Sequence, residues 1–256
     1  MGKVKVAAII QARMGSARLP GKVMEEIAGK PMLRHILDRL KSAELIHSIV
    51  VATTAKAIDQ PIVELAKDSG TGIYAGSEDD VLDRYYRAAI KFNVDIIVRI
   101  TADCPLIDPK VLDKVIQRYL QGNCDYVANI LNLTYPDGLD VEVFSRAALE
   151  RAWKESRLAS EREHVTPYIR KNPEKFRLAN VENKVDLSHL RWSVDEKEDL
   201  EFVRQVYKQL YKEGHIFYME DVLELLERHP ALKKINQGIV INEGYAKSLK
   251  EDKIVK

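Results

Sequence analysis

The sequence has few of the features that mark disulfide-stabilised, zinc-binding or membrane-spanning proteins. Among 256 residues only Cys104 and Cys124 are cysteines, and they give neither a disulfide framework nor a paired metal-ligand motif. The longest apolar runs are far too short to span a bilayer. The N-terminus also lacks the hydrophobic region of a signal peptide. We therefore expect a cytoplasmic protein with no membrane partner.

An excess of charge of one sign is missing as well. The chain carries 40 Lys and Arg against 39 Asp and Glu, a formal net charge of +1. Proteins that bind nucleic acid usually carry a strongly basic face, so nucleic acid is not an expected partner. Hydrophobic residues make up 46% of the chain and charged residues 31%. These values are ordinary for a globular protein, and the length allows one sizeable core.

The start of the chain is nevertheless locally basic, because no Asp or Glu precedes Glu25. An apolar run over Val4–Ile10 predicts a buried first strand, and it leads into QARMGSARLPGK at Gln11–Lys22. Clustered cations and glycine-freed backbone N–H groups suit a polyphosphate, and ligands gather where strands of α/β sheets end. The stretch matches neither a Walker loop nor G-x-G-x-x-G, and a solvated basic connector is the alternative interpretation. Its cations are Arg13, Arg18 and Lys22.

Short apolar strands alternate with amphipathic helices over the first two-thirds of the chain. This alternation predicts an α/β fold with a mostly parallel sheet covered on both faces. The later strands of this part are predicted at Ile49–Ala52, Gly72–Tyr74, Ile96–Ile100 and Tyr126–Ala128. Helix signals lie at Pro31–Leu40, at Asp59–Gly70, after Ser77 and Asp80, and at Asp108–Gly122.

The pattern changes after Leu131. A turn signal at residues 135–138 precedes an alternating apolar and polar run at 139–144. Further helices are predicted from Ser145 and Ser160 and over 197–213 and 219–228, with strands over Phe176–Val181 and Leu190–Val194. We expect one domain over residues 1–236, with halves at 1–131 and 132–236, and a peripheral lysine-rich tail at 237–256.

Two acids that follow predicted strands are candidate metal ligands. Asp103 has no evident structural role, since Asp108 already serves as the cap of the next helix. A carboxylate beside a polyphosphate is unfavourable unless a cation lies between them, so Asp103 is a candidate Mg²⁺ ligand. For Asp195, both a helix cap and a second metal ligand are open interpretations.

Other polar residues leave their roles open. Asp140 and Glu142 share a face of one predicted strand, where they can bind sugar hydroxyls, bind a metal or face solvent. Arg162 and His164 lie near the start of a predicted helix. The sequence contains no recognisable Ser-His-Asp set and no zinc cluster.

Several motifs together resemble the signature of cytidylyltransferases that activate acidic sugars, the CMP-Kdo and CMP-sialic acid synthetase family. The resemblance extends from the start of the chain to about Asn236. It is carried by QARMGS at 11–16, RLPGK at 18–22, GKPM at 29–32, AT at 52–53, GSEDD at 76–80, DCPL at 103–106 and VD at 194–195. YPDGLDVE at 135–142 and REHVT at 162–166 are similar to the branch called spore coat polysaccharide biosynthesis protein F.

The resemblance implies a three-layer Rossmann-like fold of the nucleotide-diphospho-sugar transferase type, with a small β/α insertion on the sugar side. The sequence departs from the pattern of the best-known members at Ala102, where they have Gly, at Thr101, where they have Gln or another residue, and at Thr54, where an acid is common. The resemblance implies catalytic roles for Arg18, Lys22 and Asp103, and Mg²⁺ binding by Asp103 and Asp195. It implies nucleotide binding by Gln11, Ala12, Arg13, Gly15, Ser16, Ala52, Thr53, Gly76, Ser77 and Thr101. Our candidates for sugar binding are Asp140, Glu142, Arg162, His164 and Arg191.

The implied reaction is transfer of CMP from CTP to an acidic sugar of the 2-keto-3-deoxy type, with release of pyrophosphate, for surface polysaccharide biosynthesis. Relatives commonly pair, so a homodimer is possible. Three alternatives stay open: a glycosyltransferase using Asp140-Val141-Glu142 as its D-x-D motif, a transferase using UTP or GTP, and a non-catalytic nucleotide-binding partner.

Overall fold

The computed structural model describes residues 4–240 and 243–255, which contain nine strands and ten α-helices. The strands are β1 Val6–Gln11, β2 Glu26–Ile27, β3 Lys30–Pro31, β4 Ser48–Thr54, β5 Gly72–Gly76, β6 Ile96–Thr101, β7 Tyr126–Ala128, β8 Glu142–Ser145 and β9 Leu178–Asn180. The helices are α1 Met32–Lys41, α2 Gln60–Asp68, α3 Val81–Lys91, α4 Pro109–Leu120, α5 Arg146–Glu155, α6 Ala159–His164, α7 Pro167–Lys171, α8 Lys197–Leu210, α9 Met219–Arg228 and α10 Glu243–Lys250.

A seven-stranded sheet with the order β5-β4-β1-β6-β8-β7-β9 forms the centre of the structure. β1 pairs in parallel with β4 on one side and β6 on the other, and β4 pairs in parallel with β5. Within this sheet, β8 runs antiparallel to both of its neighbours. The carboxyl ends of β1, β4, β5 and β6 therefore meet at one edge, as the predicted mostly parallel sheet requires. The prediction of the fold class is confirmed.

Helices cover both faces of the sheet, and the residues of β1 alternate between two cores. Ala8 and Ile10 pack with α1, α4 and α8 on one face, whereas Ala7 and Ile9 pack with α3 and α5 on the other. This burial on both sides explains why the first strand is an unbroken apolar run and not an alternating one.

Helix starts follow the capping residues that the sequence indicates. Asp108 accepts hydrogen bonds from the N–H groups of Lys110 and Val111 at the start of α4. At α3 the cap is Asp80, which accepts from Asp83 N at 2.9 Å, while Ser77 Oγ accepts from Asp80 N. Both helices consequently begin at the carboxyl edge of the sheet.

The prediction of a strand over Leu190–Val194 is wrong. Arg191 forms only an isolated bridge with Asp137, and the surrounding residues form a loop. Trp192 and Val194 are buried in the main core, so the apolar pattern reflects burial of a loop and not strand pairing. Gly138 permits this packing, because a Cβ there would lie 2.6 Å from Ser193 N.

The described part of the tail contacts helix α6. Asp252 accepts hydrogen bonds from Ser160 N at 3.0 Å and Ser160 Oγ at 2.7 Å. Ala159 N donates to Lys253 O at 2.9 Å, and helix α10 lies against α6. The segment is therefore attached to the surface of the domain, and α10 has no buried residue. In the described ranges no helix is both long and apolar enough to cross a membrane.

Candidate active site

Lys22 lies between two acids that are far apart in the sequence. Its Nζ donates hydrogen bonds to Asp103 Oδ2 at 3.2 Å, Asp195 Oδ1 at 2.8 Å and Val194 O at 2.7 Å. Asp103 follows β6, and its carbonyl oxygen accepts from Val194 N at 2.8 Å, which holds the loop after β6 against the loop that precedes α8. The structure thus brings residues 13–22, here called the cationic turn, and both candidate metal ligands to one point.

Asp195 does not cap the helix that follows it. The residue before α8 is Glu196, and Asp199 Oδ2 accepts from Glu196 N at 2.9 Å and from Asp195 N at 3.0 Å. Asp199 therefore satisfies the helix start, and the Asp195 carboxylate is left to face Lys22 and Arg18. The alternative interpretation of Asp195 as a cap is wrong for this reason.

Arg18 and Arg191 approach Asp195 from two sides. Arg18 Nη2 lies 2.9 Å from Asp195 Oδ2. Arg191 Nη2 lies 3.2 Å from the same oxygen, and its guanidinium also binds both oxygens of Asp199, at 2.8 and 2.9 Å. Arg191 is buried and fully engaged, so its expected contact with a sugar does not fit the structure; it orients Asp195 instead.

The ionisation of Asp103 is fixed by its neighbours. Burial opposes its ionisation, but the Lys22 ammonium and hydrogen bonds from Thr101, Cys104 and Lys22 outweigh it and hold the pKa of Asp103 at about 2. Thr101 Oγ1 donates to Asp103 Oδ1 at 2.5 Å. Thr101 thus supports the acid directly.

Asp140, in contrast to the ionised Asp103, is held in its protonated state. Burial and the negative charges of Asp137, Glu142 and Asp103 raise the pKa of Asp140 to about 8. Among residues 4–240 and 243–255, no hydrogen-bond donor reaches its carboxyl group. Asp140 is consequently protonated at neutral pH and has a free polar group close to Asp103.

The donor set at Lys22 suits a magnesium ion. Mg²⁺ is commonly bound by one or two carboxylates together with water and substrate phosphates. Asp103 and Asp195 provide two hard oxygen ligands that already converge on one cationic atom, Lys22 Nζ. In the part of the chain that the structure describes, no group of three or more His, Cys, Asp or Glu side chains is arranged to hold a metal.

A cavity of about 960 Å³ opens beside the cationic turn. Its walls come from the end of β1, the loop between β5 and α3, helices α5 and α6, and the tail. The lining includes Gln11, Ala12, Arg13, Glu78, Asp79, Asp80, Arg84, Trp153, Arg162, His164, Lys253 and Val255. Lys22, Asp103 and Asp195 are not in this wall, so the cavity suits the nucleoside or sugar and the Lys22 cluster suits the phosphates.

The remaining residues of the cationic turn shape its backbone. Ser16 Oγ accepts from Leu19 N at 3.3 Å, and Gly15 lies close to Glu78, where a Cβ would be 3.3 Å from the carboxylate. Arg13 lies 3.6 Å from Glu78. These contacts close the turn against the β5–α3 loop.

The predicted base contacts at β4 and β5 are only partly accessible. Ala52 and Thr53 are 0% exposed, so their side chains cannot touch a base; Ala52 O instead accepts from Ala12 N at 3.2 Å. Gly76 O accepts from Ala55 N, and Ser77 O accepts from Arg84 Nη1 at 2.6 Å. This edge therefore supports the cavity wall through its backbone.

Two of the predicted sugar contacts are already engaged within the protein. Arg162 is buried and donates to Asp80 Oδ2 from Nε at 2.7 Å and to Trp153 O at 3.1 Å. Glu142 is 2% exposed, pairs with Arg99, and accepts from Tyr126 OH and Thr166 Oγ1 at 2.5 Å each. Direct contact of either with a sugar does not fit these positions.

His164 lies in the cavity wall beneath the tail. Its Nε2 is 3.0 Å from Ser248 Oγ, and its ring meets Tyr245 edge-on at 4.9 Å. Burial, together with the charges of Arg99 and Arg170, outweighs the nearby Glu163 and lowers the pKa of His164 to about 4. The imidazole is neutral at pH 7 and does not serve as a cation for a carboxylate.

Sequence reasoning missed Asp59 and Glu243, both of which hold the cationic turn. Asp59 Oδ1 accepts from Met14 N at 2.7 Å, and its other oxygen accepts from Thr54 Oγ1. Glu243 binds Arg18. Asp59 had seemed only a helix start signal, and no local pattern indicates that it reaches back to the turn.

A mostly parallel sheet with a cationic turn after the interior strand β1, and two acids facing that turn, is an arrangement that suits a nucleotidyltransferase. The chain belongs to the cytidylyltransferase family, whose model matches residues 7–237.

Comparison with individual proteins agrees with this assignment. The fold is similar to a cytidylyltransferase from Leptospira borgpetersenii, with a TM-score of 0.87 and 37% identity over 93% of this chain and 100% of that one. The spore coat polysaccharide biosynthesis protein SpsF of Bacillus subtilis is 32% identical over 87% of this chain and 94% of its own length. A 3-deoxy-manno-octulosonate cytidylyltransferase of Geobacter metallireducens is 36% identical over 44% of each chain.

Proposed function

We propose that this protein transfers CMP from CTP to a hydroxyl group of an acidic sugar of the 2-keto-3-deoxy type, releasing pyrophosphate, in surface polysaccharide biosynthesis. The observation that carries the proposal is the convergence of Lys22, Asp103 and Asp195 on one point at the carboxyl edge of the sheet. The names of the B. subtilis and G. metallireducens relatives support the pathway and the type of sugar.

The chain's own groups bind and orient the triphosphate in this mechanism. Arg18 and Lys22 neutralise phosphate charge, and the glycine-containing turn offers backbone N–H groups to the phosphate oxygens. Asp103 and Asp195 are the residues that would hold Mg²⁺. A Mg²⁺ ion held by Asp103 and Asp195 would supply positive charge at the α-phosphate and would lower the pKa of the attacking hydroxyl, so a dedicated side-chain base would not be needed.

Asp140 stays our proposed sugar contact, because its carboxyl group has no hydrogen-bond partner among the described residues. Its protonated carboxyl can donate a hydrogen bond to a sugar oxygen, and it has no competing partner within the described ranges. Glu142, Arg162 and Arg191 then act indirectly, through Arg99, Asp80 and Asp195. Asp140-Val141-Glu142 does not suit the D-x-D motif of the glycosyltransferase alternative, because Glu142 is buried and paired with Arg99.

Substitution of Asp103 tests the reaction. Asp103→Asn is expected to abolish pyrophosphate release from CTP, measured against a panel of 2-keto-3-deoxy sugar acids with Mg²⁺, while CTP binding is reduced but detectable. Asp113→Asn is the control, since Asp113 lies in α4 outside the site and its carboxylate also accepts hydrogen bonds, from Glu44 N and Leu45 N. Near-wild-type turnover by Asp103→Asn would remove Asp103 from the mechanism. Transfer from a ready-made nucleotide sugar would instead favour a glycosyltransferase.

A further inference from the structure

We propose that the side-chain amide of Gln11 recognises the acceptor atoms of the cytosine ring, and that Arg99 and Glu142 set the direction in which this amide points. The inference rests on the proposed use of CTP. It adds a specificity-determining residue and two positioning residues that lie on neighbouring strands.

The three side chains form a row across one face of the sheet. In the strand register Gln11 is opposite Thr101, and Arg99 is opposite Glu142. Because side chains two apart in a strand share a face, Arg99 projects on the same side as Thr101 and Gln11. Gln11 Oε1 accepts from Arg99 Nη2 at 3.3 Å, and Arg99 Nη1 binds Glu142 Oε1.

The chemistry of this row fixes the orientation of the amide. A guanidinium has hydrogen-bond donors only, so the group that Gln11 turns toward Arg99 must be its oxygen. The amide NH₂ then points away from Arg99. Within residues 4–240 and 243–255 no acceptor reaches this NH₂, although Gln11 lines the cavity. The Gln11 NH₂ group is therefore a hydrogen-bond donor that points into the cavity in a defined direction.

Glu142 keeps Arg99 from turning elsewhere. It is 2% exposed and is itself held by Tyr126 and Thr166 at 2.5 Å each. A buried carboxylate with all of these partners cannot follow a moving guanidinium without losing hydrogen bonds, each of which is costly to leave unmade. Arg99 therefore stays aligned with Gln11, and the amide is aligned in turn.

The position of Gln11 in the chain favours the base as its ligand. Gln11 and Ala12 directly precede the cationic turn, so a nucleoside whose phosphates lie on the turn extends into the cavity past these residues. At N3 cytosine has an acceptor, whereas uracil has an N–H donor; O2 is an acceptor in both bases and does not distinguish them. A fixed NH₂ donor attracts the first arrangement and opposes the second, which is discrimination by repulsion as well as attraction.

Replacing the Gln11 amide by a carboxylate tests the inference, because it should invert the preference for CTP over UTP. Gln11→Glu keeps an oxygen for Arg99 but presents a second acceptor to the cavity. The ratio of the dissociation constants for UTP and CTP, measured by calorimetry with Mg²⁺, is expected to fall by about tenfold or more, the value of one charged hydrogen bond. Gln11→Leu is expected to weaken CTP binding without a gain in UTP binding.

The positioning residues are tested by the same ratio. Arg99→Met frees the Gln11 amide to flip and is expected to lower the ratio of the dissociation constants for UTP and CTP several-fold. Arg99→Lys keeps a hydrogen-bond donor and is expected to retain most of this ratio. Glu142→Gln is expected to have a smaller effect in the same direction. Gln121→Glu on the exposed end of α4 controls for added charge, and Arg177→Met controls for loss of an Arg–Asp pair elsewhere.

The outcomes separate this inference from the proposed function. The role of Gln11 alone is overturned if the wild-type protein binds CTP and the ratio of the dissociation constants for UTP and CTP in Gln11→Glu lies within twofold of the wild-type ratio. A change in the KM for the sugar with an unchanged nucleotide ratio also overturns it, because Gln11 then faces the sugar. A wild-type protein that binds neither CTP nor UTP overturns the proposed function itself. Thermal unfolding of each variant shows whether it is folded.

Discussion

Arg18 and Glu243 form an ion pair of 3.3 Å that connects the cationic turn to the first residue of α10. The pair holds one nitrogen of the guanidinium on the tail, while another binds Asp195. Under the proposed function, an incoming triphosphate would compete with Glu243 for Arg18. The tail would then affect nucleotide binding although it lies outside residues 7–237, where the family model matches.

Glu243→Gln is expected to strengthen CTP binding by up to about fivefold, because exposed ion pairs are worth about 0.2–1 kcal/mol and their loss frees Arg18. Calorimetric titration of CTP measures the change. Glu251→Gln is the control, since Glu251 pairs with Lys247 at 4.0 Å in the same segment. Equal or weaker binding by Glu243→Gln would mean that the ion pair does not compete with the nucleotide.

Lys22→Met is expected to lower both CTP affinity and stability. The lost charged hydrogen bonds to phosphate weaken binding on the order of 1–3 kcal/mol, and Asp103 and Asp195 lose their shared counter-charge. Calorimetry and chemical unfolding measure the two effects. Lys30→Met removes the surface pair with Glu213 and should change neither by more than a few tenths of a kcal/mol. Wild-type affinity in Lys22→Met would make the turn merely structural.

Asp140 predicts a fall in stability with rising pH. Its pKa of about 8 in the folded protein lies above the ordinary value near 3.9, so the folded state keeps a proton that the unfolded state releases. Stability is therefore lost as pH rises between about 4 and 8, with a slope of at most about 1.4 kcal/mol per pH unit. Asp140→Asn should remove this contribution.

Unfolding midpoints across that pH range provide the measurement for Asp140. The exposed Asp186 supplies the control, because hydrogen bonds from Ser188 lower its pKa instead of raising it. Asp186→Asn should leave the slope unchanged. Parallel slopes for wild type and Asp140→Asn would show that Asp140 is ionised throughout.

Asp59 holds the cationic turn in place, although it is not one of the residues proposed to bind phosphate. Asp59→Ala removes the acceptor of Met14 N and is expected to reduce CTP affinity about tenfold and stability by about 1–3 kcal/mol. Asp113→Ala removes comparable hydrogen bonds from Glu44 N and Leu45 N and should cost similar stability without lowering affinity. Equal loss of affinity in both variants would indicate a general effect of destabilisation.

The sequence predicts the sheet well because strand and helix signals are local. The β-branched run Ile49–Ala52 lies within β4, and the predicted strand at Tyr126–Ala128 has the bounds of β7. The segment Leu190–Val194 was misjudged, because an apolar pattern reports burial whether or not the backbone pairs with a strand. The contacts of the tail with α6 were also not predicted, since they depend on tertiary structure.

The sequence predicts the placement of candidate residues that follow apolar runs, but not of those that depend on long-range pairing. Asp103 and Asp195 follow apolar runs, and the structure brings both to Lys22. For Arg162 and Glu142 the sequence shows charge but not the partner that neutralises it. Asp80 and Arg99, which are those partners, lie many residues away.

The central place of β1 also determines when the nucleotide site can form during folding. β1 acquires its two neighbours only when the chain over Ser48–Thr54 and over Ile96–Thr101 has been added beside it. Pairing of segments so distant along the chain is slow, because loop closure precedes any gain in contacts. CTP affinity should therefore return late in refolding, after helical circular dichroism has recovered.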